Sequence, residues 1–184
     1  MRKHQEILKR MGTGDTTGNE QRIHTPLNIL RRVRKVWPEG IALDPCGSPH
    51  SQVNAEVQFG PEFEIKDGLS RPWPSRTFCN PPYAELEKWF KHGMRFDEQI
   101  FLVPVRPVRK WWRMAENASD AITWLDPVKF LGFANAFPAS LCLFYRGRRI
   151  WEFVDAFEDL GSTTLNDRIE MCDQGTPGQG ELFA

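Results

Sequence analysis

An α/β fold is what this sequence predicts, with a mostly parallel sheet and an antiparallel strand pair towards its C-terminal side. Three observations predict it. Short apolar runs alternate with amphipathic helical segments through the middle of the chain, which is the pattern of βαβ units. Two of the runs open directly onto rigid polar corners, Asp44-Pro45-Cys46-Gly47 and Asn80-Pro81-Pro82-Tyr83. In open α/β sheets, ligands bind beyond the carboxyl ends of strands, where such corners lie. Late in the chain, KFLGFANAFPASLCLFYRG reads as two close strands around a loop holding Asn135 and Pro138, an antiparallel arrangement.

Taken in order, residues 1–22 are polar, and GTGDTTGNE reads as a flexible loop. This stretch lacks the apolar core of a signal peptide. Pro26 opens a helix over PLNILRRVRKVW, with Leu27, Leu30 and Val33 on one side. Ile41 to Leu43 and Arg76 to Cys79 read as strands. AELEKWFKHGMRF is helical, stacking Leu86, Phe90 and Met94 at i, i+4 and i+8. QIFLVPV is a buried strand, VRKWWRMAEN a helix and AITWL a further strand. RIWEFVDAFEDL is an amphipathic helix ending at Gly161. The Gly/Pro-rich segment 166–184 reads as a disordered tail, so a single domain spans 23–165.

Composition narrows the function classes. Of 184 residues, 40% are hydrophobic and 26% charged, as in ordinary globular domains. Formal charge is +0, so no global basic field marks nucleic-acid binding, and any such role needs a local patch. No apolar run approaches the length of a membrane span. The four cysteines show no C-x-x-C spacing and the four histidines are scattered, so no metal site is expected. Cys79 and Cys142 sit in apolar runs, where a thiol behaves as a small hydrophobe, and a reducing compartment follows.

The corner at Asn80 carries the most chemistry. Each proline fixes φ near about −65° and has no N–H to satisfy nearby carbonyls. With the Asn80 side-chain oxygen, a backbone carbonyl forms a rigid acceptor pair. Such a pair matches a planar amino group, which offers two donors. Tyr83 supplies a flat ring for stacking on a planar heterocycle, worth about 1–3 kcal/mol.

The motif resembles the (D/N/S)-P-P-(Y/F/W) signature of amino-group methyltransferases. IHTPLNIL, ALDPCGSPHSQVNAE, KDGLSRPW, TFCNPPYAELEKWF, FLVPVRPVRKWW and VKFLGFANAFPASLCLFYRG also follow one another as in the phage-type DNA N-6-adenine methyltransferase family. The resemblance covers about Ile23 to Trp151. It implies a class I methyltransferase-like (Rossmann-like) fold, S-adenosyl-L-methionine as cofactor, and transfer of its methyl to the N-6 amino group of a flipped adenine in DNA. It implies catalytic roles for Asn80, Pro81, Pro82 and Tyr83, with the cofactor held by Thr25, Pro26, Asp44, Pro45, Cys46, Gly47 and Asp67. The first loop has one glycine where larger methyltransferases carry G-x-G, which leaves individual cofactor contacts open. By the same resemblance the protein is cytoplasmic, in a bacterial or phage-infected cell. Arg106, Arg109, Lys110 and Arg113 follow a strand end on the ligand side, interleaved with Trp111 and Trp112, and are candidates for phosphate contact. Arg146, Arg148 and Arg149 form a second basic cluster.

Plainer readings stand beside these. Asp44 also suits a helix cap after a strand, and Asp67 a simple turn. A second Leu-Asp-Pro, at Leu125 to Pro127, reads as structural. An ordinary solvated helix face accounts equally well for Arg106 to Arg113. Trp111 and Trp112 are adjacent, so one of them is expected to be partly exposed, whereas Trp73 and Trp89 read as core. Asn-Pro-Pro-Tyr also serves enzymes that methylate RNA or protein glutamine, and a non-catalytic nucleic-acid-binding relative is a third possibility.

Overall fold

The structure, a computed structural model, describes residues 25–128 and 140–166. The expected strand over 129–133, the loop with Asn135 and Pro138, and the segments 1–22 and 167–184 lie outside the described residues.

Of the face expected for helix α1 (Leu27–Val36), Leu30 and Val33 are buried but Leu27 is exposed, and Ile29 and Val36 complete the buried side instead. Strand β1 (Leu43–Asp44) follows, so Asp44 is the last residue of the strand itself rather than part of the loop. Strand β2 (Val57–Gln58) precedes β3 (Thr77–Cys79) and α2 (Leu86–Gly93). The expected stack holds: Leu86, Phe90 and Met94 are all buried. Then come β4 (Gln99–Pro104), α3 (Lys110–Ala118), β5 (Ala121–Leu125), β6 (Leu141–Arg146), α4 (Ile150–Phe157) and β7 (Gly161–Leu165).

The strands form one seven-stranded sheet in the order β2-β1-β3-β4-β6-β5-β7. It is mixed rather than mostly parallel. Pairings among β2, β1, β3 and β4 are parallel, and those of β4–β6, β6–β5 and β5–β7 are antiparallel. The departure has two causes. Strand β6 inserts between β4 and β5, antiparallel to both. Strand β7 then adds a polar edge, Gly-Ser-Thr-Thr-Leu, whose sequence carries no apolar signal.

Alternation across the central strands builds two cores. Ile100, Leu102, Leu143 and Tyr145 point to one face, where α1 and α4 cover them. Phe101, Val103, Cys142 and Phe144 point to the other, under α2 and α3. Every residue of β4 is buried, the mark of a strand covered on both faces. Trp111 and Trp112 correct the expectation that one is exposed: they are 8% and 1% exposed. Trp111 stacks on Phe90 of α2 at 5.2 Å, and Trp112 meets Phe144 edge-on at 5.0 Å. Helix α3 packs against both α2 and the sheet, so two adjacent positions each have a partner element. Among the described residues, no helix is long and apolar enough to cross a membrane.

Candidate active site

Strands β1, β3 and β4 are parallel neighbours, so their loops leave the same edge of the sheet side by side. Leu43 is in register with Thr77, and Cys79 with Phe101. That places Asp44, Asn80 and the segment after Pro104 next to one another, although they are scattered in sequence.

At the β3 end, Asn80 Nδ2 donates to Thr25 Oγ1 at 3.2 Å. Thr25 is 5% exposed, held just ahead of α1. The bond fixes the amide so that Asn80 Oδ1 points elsewhere, and among the described residues Oδ1 has no hydrogen-bond partner. Of the two proline carbonyls, that of Pro82 accepts from Glu85 N at 3.2 Å, which turns the chain towards α2. The carbonyl of Pro81 accepts none among the described residues. Asn80 Oδ1 and Pro81 O are thus left without a donor among the described residues. Tyr83 is half-buried, its ring packed against both cores at their meeting point. Burial pushes its phenol well above the ordinary range, and the Arg106 charge opposes that shift.

At the β1 end, Asp44 is 3% exposed. Its Oδ1 accepts from Cys46 N at 3.0 Å and its Oδ2 from Ser51 Oγ at 3.1 Å. It caps its own loop rather than a helix. Burial raises its carboxyl to about 6, against the pull of those two hydrogen bonds. Gly47 lies so close to β2 that a Cβ would stand 2.7 Å from Gln58 Oε1, and Gly47 N donates to Phe59 O at 2.8 Å. Gln58 Oε1, beside this loop, is buried with no hydrogen-bond partner among the described residues.

Two contacts join the predicted segments into one site. Gly68 presses on the first loop, where a Cβ would fall 2.1 Å from Pro45 O. Only glycine fits this crossing, which carries Asp67 to the loop. Asp67 itself is exposed, and its Oδ1 accepts from Leu69 N at 2.9 Å, so it shapes the turn. Cys46 Sγ lies 3.7 Å from Cys79 Sγ, linking the β1 loop to the last residue of β3. Burial pushes both thiols up, so they are held as neutral packing groups. Pro26 is buried at the head of α1 beside Thr25.

The four predicted cations flank this edge. Arg106 is half-buried, and Arg109, Lys110 and Arg113 are exposed. Among the described residues, none of their side chains makes a hydrogen bond or ion pair. The second basic cluster is different. Because β6 runs antiparallel to β4, it delivers Arg146 to Arg149 at the opposite edge of the sheet. There Arg146 donates to Ala118 O, and Arg149 pairs with Glu39 at 2.6 Å. Asp126 caps the end of β5 and is exposed, its N–H donating to Leu160 O at 2.9 Å. A shallow cavity of about 310 Å³ lies there, lined in part by Asn28 and Asp126 and by none of the residues around Asn80.

Two site residues escape sequence reasoning. Ser51 steadies Asp44 and Gln58 offers a bare acceptor, and neither belongs to a motif. The one available signal was spacing, a hydroxyl seven positions after the strand-end acid. Among the described residues, no group of three His, Cys, Asp or Glu side chains is placed to hold a metal ion. No protein-family model matches the chain, and no curated protein matches it either.

Proposed function

We propose that this chain transfers a methyl group from S-adenosyl-L-methionine to the N-6 amino group of adenine in DNA. The observation that carries the reading is the bond from Asn80 to Thr25, which aims a free amide oxygen from the end of β3. Residues from two separate motifs, 55 positions apart, thereby build one acceptor. The parallel half of the sheet, with its polar corners at the carboxyl edge, supports a Rossmann-like, class I methyltransferase arrangement.

The residues at the β1 end fit the cofactor. Asp44, the unpartnered Gln58 Oε1 and the loop from Pro45 to Gly47 present acceptors to its amino and hydroxyl groups, and Thr25 and Pro26 border them. When bound, S-adenosyl-L-methionine supplies an electrophilic methyl on a sulfonium. The chain's own work is at the acceptor. Asn80 Oδ1 and Pro81 O take the two amino hydrogens and favour the tetrahedral, positively charged nitrogen that develops during transfer. Their rigidity holds the nitrogen in line for attack, which is a positioning effect. A general base is not needed beforehand, since the nitrogen becomes cationic and acidic once methylated and then gives its extra proton to solvent water. Tyr83, half-buried beside this corner, would stack on a base extruded from the duplex, and extrusion costs a few kcal/mol. Arg106, Arg109, Lys110 and Arg113 supply phosphate contacts on the same edge.

A panel of acceptors tests this. Purified protein and radiolabelled cofactor are incubated separately with unmethylated duplex DNA, RNA and protein. Label is expected on N-6-methyladenine in the DNA digest. Label on RNA or on glutamine with none on DNA would transfer the same chemistry to another acceptor. Failure to bind S-adenosylhomocysteine by calorimetry would remove the enzymatic reading altogether.

A further inference from the structure

The loop between β4 and α3 ends in an exposed apolar tip. Val108 is 93% exposed, the most exposed large hydrophobic side chain among the described residues. Exposure alone is unremarkable, because single surface hydrophobics are common. Its setting is not. Arg109 N donates to Arg106 O at 3.0 Å, closing a turn with Pro107 and Val108 at its centre. Proline fixes the backbone ahead of Val108, and a β-branched side chain is stiff at χ1, so the tip is rigid. From Val105 to Arg113 the sequence holds four cations and no acid. Strand β4 lies beside β3, and Phe90 of α2 stacks on Trp111 of α3, so this turn stands next to the Asn80 corner.

We propose that Val108 is a wedge that enters duplex DNA and occupies the space vacated by the extruded base. The proposal rests on the reading of the chain as a DNA methyltransferase and adds the residue that holds the duplex open. A cationic collar brings the phosphates close, and an apolar tip placed between base steps stabilises the unstacked duplex. Single-stranded DNA has no gap to fill and does not need the wedge.

The test compares Val108→Ala and Val108→Leu with wild type, using unmethylated duplex DNA and the same DNA denatured to single strands. Val108→Ala is expected to slow transfer to duplex at least tenfold, leaving transfer to single strands within twofold and thermal unfolding unchanged. Val108→Leu is expected to keep at least half the wild-type duplex rate. Where wild type methylates duplex alone, the contrast between alanine and leucine decides. An equal loss on both DNA forms, equal behaviour of the two variants, or a duplex rate unaffected by alanine overturns the wedge and leaves the methyltransferase reading standing. A wild-type protein that methylates no DNA overturns both.

Discussion

The Thr25 hydroxyl accepts from the Asn80 amide nitrogen at 3.2 Å, so the orientation of the Asn80 amide depends on a residue 55 positions away in the chain. Thr25→Val keeps the volume and deletes the hydroxyl. Its kcat is expected to fall about 10-fold, while Thr25→Ser stays near wild type. Asn80→Ala is expected to abolish transfer and spare cofactor binding by calorimetry. Asp44 makes a different prediction, through its carboxyl raised to about 6. Folded Asp44 holds its proton to higher pH than unfolded Asp44, so between about pH 4 and 6 the folded state binds more protons. Its contribution to stability therefore falls as pH rises through that window, and the full penalty, about 1–3 kcal/mol, persists at pH 7. Urea unfolding of Asp44→Asn should show a gain of about 1–2 kcal/mol at pH 7 that vanishes near pH 4, together with loss of cofactor binding. No gain at neutral pH would mean the carboxylate pays no burial cost. At this scale the sequence exposes much of the candidate site, because Asp44 and the Asn80-Pro81-Pro82-Tyr83 corner directly follow short apolar runs. The hydroxyls that orient them are ordinary serines and threonines, visible only once the chain is folded.

Elements with strong periodicity were legible and weak ones were not. QIFLVP is apolar because β4 is covered on both faces, and no other placement satisfies it. VQ and GSTTL make edge strands whose residues are largely uncovered, so no apolar pattern marks β2 or β7. The end of the sheet away from the site is pinned by Glu98, which enters β4 at a left-handed φ of 56°. Its carboxylate accepts from Trp37 Nε1 and Tyr145 OH, both at 2.9 Å, and from Arg148 N at 2.7 Å. These bonds tie α1, β6 and the start of α4 to one side chain. Glu98→Ala orphans three donors and should cost about 2–4 kcal/mol in chemical denaturation. Cofactor affinity should not change, since the network lies on the far edge.

Across the whole molecule, a formal charge of +0 conceals an uneven distribution. Among the described residues, the side chains of Arg106, Arg109, Lys110 and Arg113 have no hydrogen bond or ion pair, whereas Arg146 and Arg149 are engaged on the opposite edge. Composition could not separate the two clusters, because which edge each occupies depends on the direction of β6. Arg109→Ala and Arg113→Ala should each reduce the salt dependence of duplex binding by about one unit of slope. Arg148→Ala, exposed on the far edge, should leave it unchanged. The alternation of strands and helices foretold an α/β sheet, but not the insertion of β6 between β4 and β5, which makes the sheet mixed. Whether the Asn80 corner methylates adenine in DNA is decided by sequencing that detects modified bases, applied to DNA from cells expressing the chain. N-6-methyladenine is expected with the wild-type chain and none with Asn80→Ala; unmodified adenine in both, from folded protein that binds S-adenosylhomocysteine, would rule out the proposed reaction.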